Sequence, residues 1–313
     1  MTAFKKSKNL SSLIYDFLSY LEVEKGCSPL TLRNYKHYLF RFLKFLGTET
    51  DLSSVDLDKI RSYRGYLAKF SDVHGNILSR RTQGYHIIAL RSLFKWLTKN
   101  DYETVAPEKI DLPKISDRQV KFLTGEQIDR LLSSPSLYGL NGKRDKAILE
   151  MLFSTGLRVS ELTSLNRDKI DLDRREFGVV GKGGKARVVF LSNRASDWIK
   201  NYLNARNDHF KPLFIRHNKG KVDVAVSDEK MRLTPRSIQR IIKKYARKVK
   251  LPVEVTPHVM RHSFATDLLM AGADIRSVQE MLGHKNIATT QIYTHVTNKQ
   301  LKEVHDAFHG KGG

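Results

Sequence analysis

The sequence predicts a mainly α-helical protein that carries one small β-hairpin, and three observations lead to this fold class. Apolar residues recur at helical spacing along most of the chain. No strand pattern occurs before residue 108. Two β-branched runs flank a Gly/Lys-rich turn within residues 177–191, which is typical of a hairpin. We therefore expect an N-terminal helical bundle followed by a mixed, mostly helical domain with a small β-sheet or hairpin.

Four helices are predicted in the first domain. The first covers residues 10–21, and the second begins where Ser28 is a candidate N-cap and Pro29 occupies the first helical position. The third and fourth cover residues 56–70 and 79–99. Lysines and arginines lie opposite the apolar stripe of the second helix, so we expect a bundle with basic outer faces.

A linker is predicted between two domains. The stretch that contains Pro107 and Pro113 lacks helical periodicity, as extended linkers do. We expect a first domain at residues 1–105, a linker at 106–119 and a second domain at 120–313.

The second domain is predicted to be helical on both sides of the hairpin. Helical patterns at residues 124–132, 144–153 and 159–165 lead into the hairpin, whose tip carries Lys182. Helical patterns then resume to the end of the chain. We assign no role to residues 210–234.

The charge balance indicates a polyanionic partner. The 313 residues include 55 Lys and Arg against 33 Asp and Glu, a formal net charge of +22. The excess is spread along the chain, because 17 basic and 11 acidic residues precede position 109, which leaves 38 and 22 for the remainder. This surplus favours nucleic acid. Solubilising lysines are the alternative, and charge alone does not separate DNA from RNA.

The single cysteine and the hydropathy pattern exclude several classes of protein. Cys27 has no partner for an intrachain disulfide or a cysteine-based zinc site. No apolar run suits a signal peptide, and none reaches the roughly 18 residues of a membrane span. We expect a cytoplasmic protein with no membrane partner.

Two motifs place arginines where they can bind an anion. Arg158 comes two residues after the helix-ending Gly156, at the start of the next helix, so its guanidinium can reach a phosphate. His258 and Arg261 share one face at the start of a helix that Thr256 can cap. A surface arginine and a solvated His-Arg pair are the alternatives. A zinc site is weaker, because one histidine followed by an arginine is poor ligand spacing.

A third motif contains a histidine and a tyrosine. Gly283 is predicted to end a helix that begins at Asp274, so His284 lies on a turn. Tyr293 follows on a helical stripe, where a tyrosine is usually part of the core.

Taken together, these residues resemble the catalytic signature of the tyrosine recombinases, or phage integrases. That signature is Arg, Lys, His-x-x-Arg, His and Tyr, and its counterparts here are, in order, Arg158, Lys182, His258, Arg261, His284 and Tyr293. The short sequences Arg261-His-Ser-Phe-Ala-Thr266 and Leu282-Gly-His284 also resemble those of the family. The N-terminal bundle looks like the family's SAM-like core-binding domain, so the resemblance covers nearly the whole chain. Asn286 stands where the family usually has a serine ahead of the tyrosine, a change that leaves the assignment of Tyr293 intact.

The resemblance implies an enzyme that cuts and rejoins double-stranded DNA at a recombination site without metal or cofactor. Tyr293 would be the nucleophile, and Arg158 and Arg261 would bind the phosphate oxygens. Lys182 would protonate the leaving 5′-oxygen. His258 and His284 would position and deprotonate the tyrosine.

The resemblance also implies an assembly of four protomers on two DNA sites, as a homo-tetramer or with a paralogue. Residues 298–309 carry Leu301, Val304 and Phe308 at helical spacing. In relatives such a terminal helix docks in trans on the neighbouring protomer, and we expect this here.

Three further basic residues are candidate DNA contacts. Arg80 and Arg81 begin the fourth helix, and Lys185 lies on the hairpin beside Lys182. A solvated surface pair is the alternative for Arg80 and Arg81. His262, His295 and His305 receive no role.

Other functions share parts of this pattern. A type IB topoisomerase uses the same tyrosine chemistry, but the small helical first domain favours a recombinase. A DNA-binding protein with an inactive site is disfavoured by the complete residue set, and a metal-dependent nuclease by the missing carboxylate cluster. No arm-binding domain precedes the bundle in this sequence, which favours the Xer-type group that resolves chromosome or plasmid dimers. Integrases of mobile elements are the alternative within the family.

Overall fold

The computed structural model describes residues 9–113, 121–181, 184–217 and 227–284, together with Asn286. The chain forms two compact units, Met1–Arg118 and Gln119–Gly313. Their described residues contain twelve α-helices and one two-stranded antiparallel sheet, so the predicted mainly helical fold class is confirmed. None of the described helices is both long and apolar enough to span a membrane.

Four capped helices build the first unit. The side chain of Ser28 accepts the N–H of Thr31 at 3.3 Å, and Asn9, Asp56 and Ser79 cap the other three helices in the same way. Within residues 9–108 the structure contains no strand. The four predicted helices are present within a few residues of their expected ends; they are α1 (Leu10–Val23), α2 (Pro29–Leu46), α3 (Leu57–Lys69) and α4 (Arg80–Lys99).

The core of the first unit lies between these helices. α1 and α3 pack against both α2 and α4, and α2 packs against α4. Aromatic and aliphatic side chains from all four helices are fully buried, among them Phe17, Phe42, Tyr63, Leu90 and Phe94.

The second unit is organised around a buried helix, α6. This helix packs against α5, α8 and α11. The elements in chain order are α5 (Gly125–Ser133), α6 (Leu140–Thr155), α7 (Val159–Ser164), β1 (Glu176–Val180), β2 (Ala186–Phe190), α8 (Asn193–Asn204), α9 (Asp228–Met231), α10 (Pro235–Lys248), α11 (Pro257–Met270) and α12 (Ile275–Leu282).

α6 extends beyond its predicted bounds at both ends, and it buries charged as well as apolar residues. The pairs Arg144–Asp145 and Lys146–Glu150 each have a 2.7 Å contact inside the unit. Tyr245 donates a further hydrogen bond to Asp145 at 2.9 Å. Burial of these charges is tolerated because each has a partner.

The predicted hairpin is confirmed as β1 and β2. Phe177 lies opposite Val189, and Val179 lies opposite Arg187. The N–H of Gly181 donates to the carbonyl oxygen of Lys185 at 2.8 Å and closes the turn. Lys182 lies outside the described residues.

Arg206 organises the segment after α8, part of which carried no assignment from the sequence. Its buried guanidinium donates to the carbonyl oxygens of Phe210, Pro212 and Leu213 at 2.8–3.0 Å, and it pairs with Asp208. The residues directly after α8 are therefore held by an internal cation.

Candidate active site

The turn after α6 presents Arg158 in a fixed direction. Gly156 ends the helix with a φ of 58° in the left-handed region. A Cβ on this glycine would lie 2.4 Å from Cδ1 of Phe264, so close packing as well as backbone conformation requires glycine here. Arg158 follows as the N-cap residue of α7, with its side chain 28% exposed.

Glu161 holds Arg158 at this turn. The guanidinium of Arg158 donates to Oε1 of Glu161 at 2.9 Å, and its backbone N–H donates to Oε2 at 2.9 Å. Burial alone would raise the pKa of Glu161, but hydrogen bonds from Arg187 and Arg158 outweigh it and lower the pKa to about 2. The carboxylate is therefore ionised under physiological conditions.

α11 supplies His258 and Arg261 from its first turns. Thr256 caps this helix by accepting the N–H of Val259 at 3.3 Å, as predicted. His258 is exposed, whereas Arg261 is buried and donates to the carbonyl oxygens of Gly156 at 2.7 Å and Leu282 at 2.6 Å. Arg261 therefore ties two turns together from inside the unit, a role that its sequence motif does not indicate.

α12 ends at the turn that carries His284. Gly283 adopts a φ of 64°, and the N–H of His284 donates to the carbonyl oxygen of Gln279 at 3.1 Å. The predicted helix-ending role of Gly283 is confirmed by this geometry. His284 is half-buried on the turn.

Three arginines converge on the last carbonyl groups of α12. Arg187 donates to the oxygen of Met281 at 3.1 Å, Arg261 to that of Leu282 at 2.6 Å, and Arg158 to that of Gly283 at 3.3 Å. The C-terminal end of a helix carries partial negative charge, so cations are favourable there. The convergence brings the segments of Arg158, Arg261 and His284 into one site, although they are far apart in sequence.

The histidines around these arginines are held uncharged. Burial and the charges of Arg261 and Arg158 lower the pKa of His284 to about 4. Burial, His258 and Arg261 lower the pKa of His262 to about 4. The pKa of His258 is also lowered, by partial desolvation and then by Arg261 and Arg158. At neutral pH the site therefore offers neutral imidazoles beside guanidinium groups, a combination suited to proton acceptance next to a bound anion.

Two residues of the site were missed by the sequence reasoning. Arg187 on β2 donates through both terminal nitrogens to Glu161, at 3.0 and 2.8 Å. Glu161 could have been noticed as the acidic residue three positions after Arg158. Arg187 shares its strand face with buried Val189, and a charge at such a position signals a buried partner.

The other candidate residues are exposed side chains or lie outside the described residues. Lys185 is exposed on the hairpin, and Arg80 and Arg81 are exposed in the first turn of α4. Arg81 donates to the hydroxyl of Tyr85 at 2.8 Å. Tyr293, like Lys182, is not among the described residues.

Within the described residues no group of three or more His, Cys, Asp or Glu side chains is arranged to hold a metal ion.

Family profiles match both units of the chain. The profile described as phage integrase family matches residues 121–300, and the profile described as phage integrase, N-terminal SAM-like domain matches residues 14–101.

Curated relatives and solved structures are similar over nearly the full length. A tyrosine recombinase XerC from Myxococcus xanthus is 38% identical over 302 residues, covering 96% of this chain and 98% of its own. A tyrosine recombinase XerD from Listeria innocua serovar 6a is 37% identical, covering 96% and 99%. The Tn1549 transposon integrase in complex with transposon right end DNA has a TM-score of 0.71 at 20% identity, covering 96% and 99%. The XerH recombinase bound to palindromic difH has a TM-score of 0.68 at 22% identity, covering 95% and 84%.

The two structures support the fold, and the profiles and relatives establish the family. This chain belongs to the phage integrase family, as a tyrosine recombinase of the Xer type.

Proposed function

We propose that this protein is a site-specific recombinase that cleaves and rejoins DNA through a 3′-phosphotyrosyl link to Tyr293. The observation that carries the proposal is the convergence of Arg158, Arg261 and the His284 turn at the end of α12. Three guanidinium groups and a single carboxylate leave the described part of the site with a net positive charge. Such a site suits a phosphodiester, whose negative charge grows in the transition state.

Each residue has a distinct role in the proposed reaction. The phenol oxygen of Tyr293 attacks the scissile phosphorus, and the bond to the 5′-oxygen breaks. Neutral His258 and His284 position the phenol and accept its proton. Arg158 and Arg261 stabilise the non-bridging oxygens.

Lys182 protonates the leaving 5′-oxygen. Because the phosphate stays in an ester bond, a 5′-hydroxyl can attack it and restore the DNA without ATP. Attack by the hydroxyl of a second duplex exchanges strands.

Both units contribute basic surfaces to the proposed DNA partner. α10 presents the exposed side chains of Arg236, Arg240 and Arg247, and it packs next to α11, which carries His258. We assign α10 to the DNA interface together with Arg80, Arg81 and Lys185. Residues 1–105 serve as the core-binding domain and residues 120–313 as the catalytic domain, joined by the linker at 106–119.

The proposed assembly is a tetramer on two DNA sites. An apolar cavity of about 350 Å³ is lined by residues that include Phe153, Val188, Phe190 and Leu268. Val188 and Phe190 are 54% and 57% exposed, so they offer apolar surface to another chain. This cavity is the proposed acceptor for residues 298–309 of a neighbouring protomer, identical or paralogous.

The proposed cellular role is the resolution of chromosome or plasmid dimers in the cytoplasm. The test is to trap covalent protein–DNA complexes in the cells of origin and to sequence the attached DNA. Adducts concentrated at a single chromosomal or plasmid site with two inverted half-sites support the role. Adducts at the ends of a mobile element would replace it with integration, and adducts without sequence preference would favour topoisomerase-like activity.

A further inference from the structure

Arg187 joins the hairpin to two other parts of the candidate active site. It lies on β2 opposite Val179, and its side chain is only 11% exposed. Its two terminal nitrogens donate to the two oxygens of Glu161 on α7 at 3.0 and 2.8 Å. Its Nε donates to the carbonyl oxygen of Met281 on α12 at 3.1 Å. One side chain on β2 therefore links this strand to two other elements, α7 and α12.

The carboxylate that Arg187 grips also orients Arg158. Oε1 of Glu161 accepts from the Arg158 guanidinium, and Oε2 accepts from the Arg158 backbone. Each oxygen therefore serves both arginines. Because Glu161 is 5% exposed and receives four hydrogen bonds, movement of Arg187 would displace the partner that fixes Arg158.

The guanidinium of Arg187 also supports the turn of His284 by direct packing. A Cβ on Gly283 would lie 3.0 Å from both Cδ and Nη1 of Arg187, so the glycine backbone rests against this side chain. The carbonyl of the same glycine accepts from Arg158 at 3.3 Å. Arg187 thus constrains the position of Arg158 in two ways, through Glu161 and through the turn at Gly283.

These contacts distinguish Arg187 from a phosphate ligand. All three of its guanidinium nitrogens donate to protein acceptors, two of them to an ionised carboxylate that it shares with Arg158. Arg158, by contrast, is 28% exposed.

We propose that Arg187 is a positioning residue that sets the orientation of Arg158, acting through Glu161 and through the α12 turn. The proposal rests on the proposed recombinase function. It requires arginine in particular, because lysine carries one point charge and cannot reproduce a forked contact with a carboxylate together with a third hydrogen bond.

The test is a double-mutant cycle on covalent adduct formation in the full-length protein. Arg187→Met, Arg158→Lys and the double variant are compared under single-turnover conditions on a suicide DNA substrate. We expect Arg187→Met to slow adduct formation on the order of 10²-fold, the effect of a misplacement of about 1 Å. DNA affinity should stay within about twofold, because Arg187 is proposed to act on Arg158 and not to bind the DNA phosphates itself.

The cycle separates positioning from a general structural effect. In the Arg158→Lys background, Arg187→Met should cost less than about threefold, since the residue it positions is already altered. If the rate losses of Arg187→Met and Arg158→Lys multiply in the double variant, the two residues act independently, and the proposal is overturned. Arg174→Met is the matched control, because Arg174 precedes the same hairpin but is 78% exposed, and it should cleave at the wild-type rate.

A second variant keeps the test decisive if Arg187→Met unfolds. Arg187→Lys retains the charge beside Glu161, and its folding is checked by thermal melting. It should still slow adduct formation at least about tenfold, and wild-type cleavage by this variant would overturn the proposal. Failure of the wild-type protein to form any adduct would instead remove the proposed function, and this inference with it.

Discussion

At the residue scale, the two candidate phosphate-binding arginines differ in how much each contributes to the stability of the fold. We predict that Arg158→Ala and Arg261→Ala each slow adduct formation roughly 10²-fold, as loss of a preorganised transition-state donor does. Arg261→Ala should also lower the free energy of unfolding by about 1–3 kcal/mol, because buried carbonyl groups lose their donor.

Suicide-substrate trapping and thermal melting measure the two effects. Arg276→Ala, an exposed arginine on α12, is the control and should match the wild type. Near-normal cleavage by either active-site variant would remove that arginine from the site.

The general acid is the second residue-scale prediction, because the hairpin offers both Lys182 and Lys185. We expect Lys182→Ala to cleave an ordinary substrate slowly and to recover on a 5′-bridging phosphorothiolate, whose sulfur leaves without protonation. Lys185→Ala should cleave both substrates alike. Rescue of Lys185→Ala but not of Lys182→Ala would reverse the two assignments.

The sequence identified residues with ordered motifs but not the residues that join them. Arg158, Arg261 and His284 were found because each has a distinctive local context, such as a glycine turn or a capped helix. Arg187 and Glu161 were missed because their contact spans 26 positions and depends on how the hairpin packs. The local sequence pattern does not indicate which residues form such tertiary pairs.

At the element scale, the C-terminal turn of α12 combines a strained backbone position with a close contact. We predict that Gly283→Ala destabilises the protein by about 1 kcal/mol and slows adduct formation at least about tenfold, since its Cβ would press on Arg187.

Gly26→Ala is the matched control for this substitution. Gly26 has a similar φ of 56°, but a Cβ there would have nothing within 4 Å. It should show the stability loss with normal activity. Equal loss of activity in both variants would assign the effect of Gly283→Ala to folding alone.

Elements with strong local signals were predictable, and short irregular ones were not. Ser28 and Ser79 marked helix starts because a polar cap preceded a long apolar stripe. The four-residue helix Asp228–Met231 and the segment held by Arg206 gave no periodic signal. Buried polar contacts of Arg206 order the segment, and the short helix packs through Met231 with Phe210 and Ile215.

At the scale of the whole molecule, the net charge of +22 predicts steep salt dependence of DNA binding. Affinity should fall at least about 10³-fold between roughly 50 and 200 mM salt, as for proteins that contact about six phosphates or more. Fluorescence anisotropy across this range measures the slope.

Single substitutions locate the phosphate contacts behind this slope. Arg240→Ala on α10 should reduce it by about one. Lys200→Ala is the control, because Lys200 on α8 already pairs with Asp173 at 2.9 Å. This substitution should leave the salt dependence unchanged. A flat salt response would contradict a DNA interface built on both units.

The central claim is that Tyr293 forms the covalent bond to DNA, and trapping on a suicide substrate that carries the mapped site tests it most directly. Wild-type protein should form an adduct in the presence of a metal chelator. Peptide mass spectrometry should locate the attached nucleotide at Tyr293. Tyr293→Phe should bind the same DNA with unchanged affinity and form no adduct, because only the phenolic oxygen is lost. Tyr138→Phe, at a side chain that is 96% exposed, should form the adduct normally. An undiminished adduct from Tyr293→Phe, or attachment at another residue, would contradict the account.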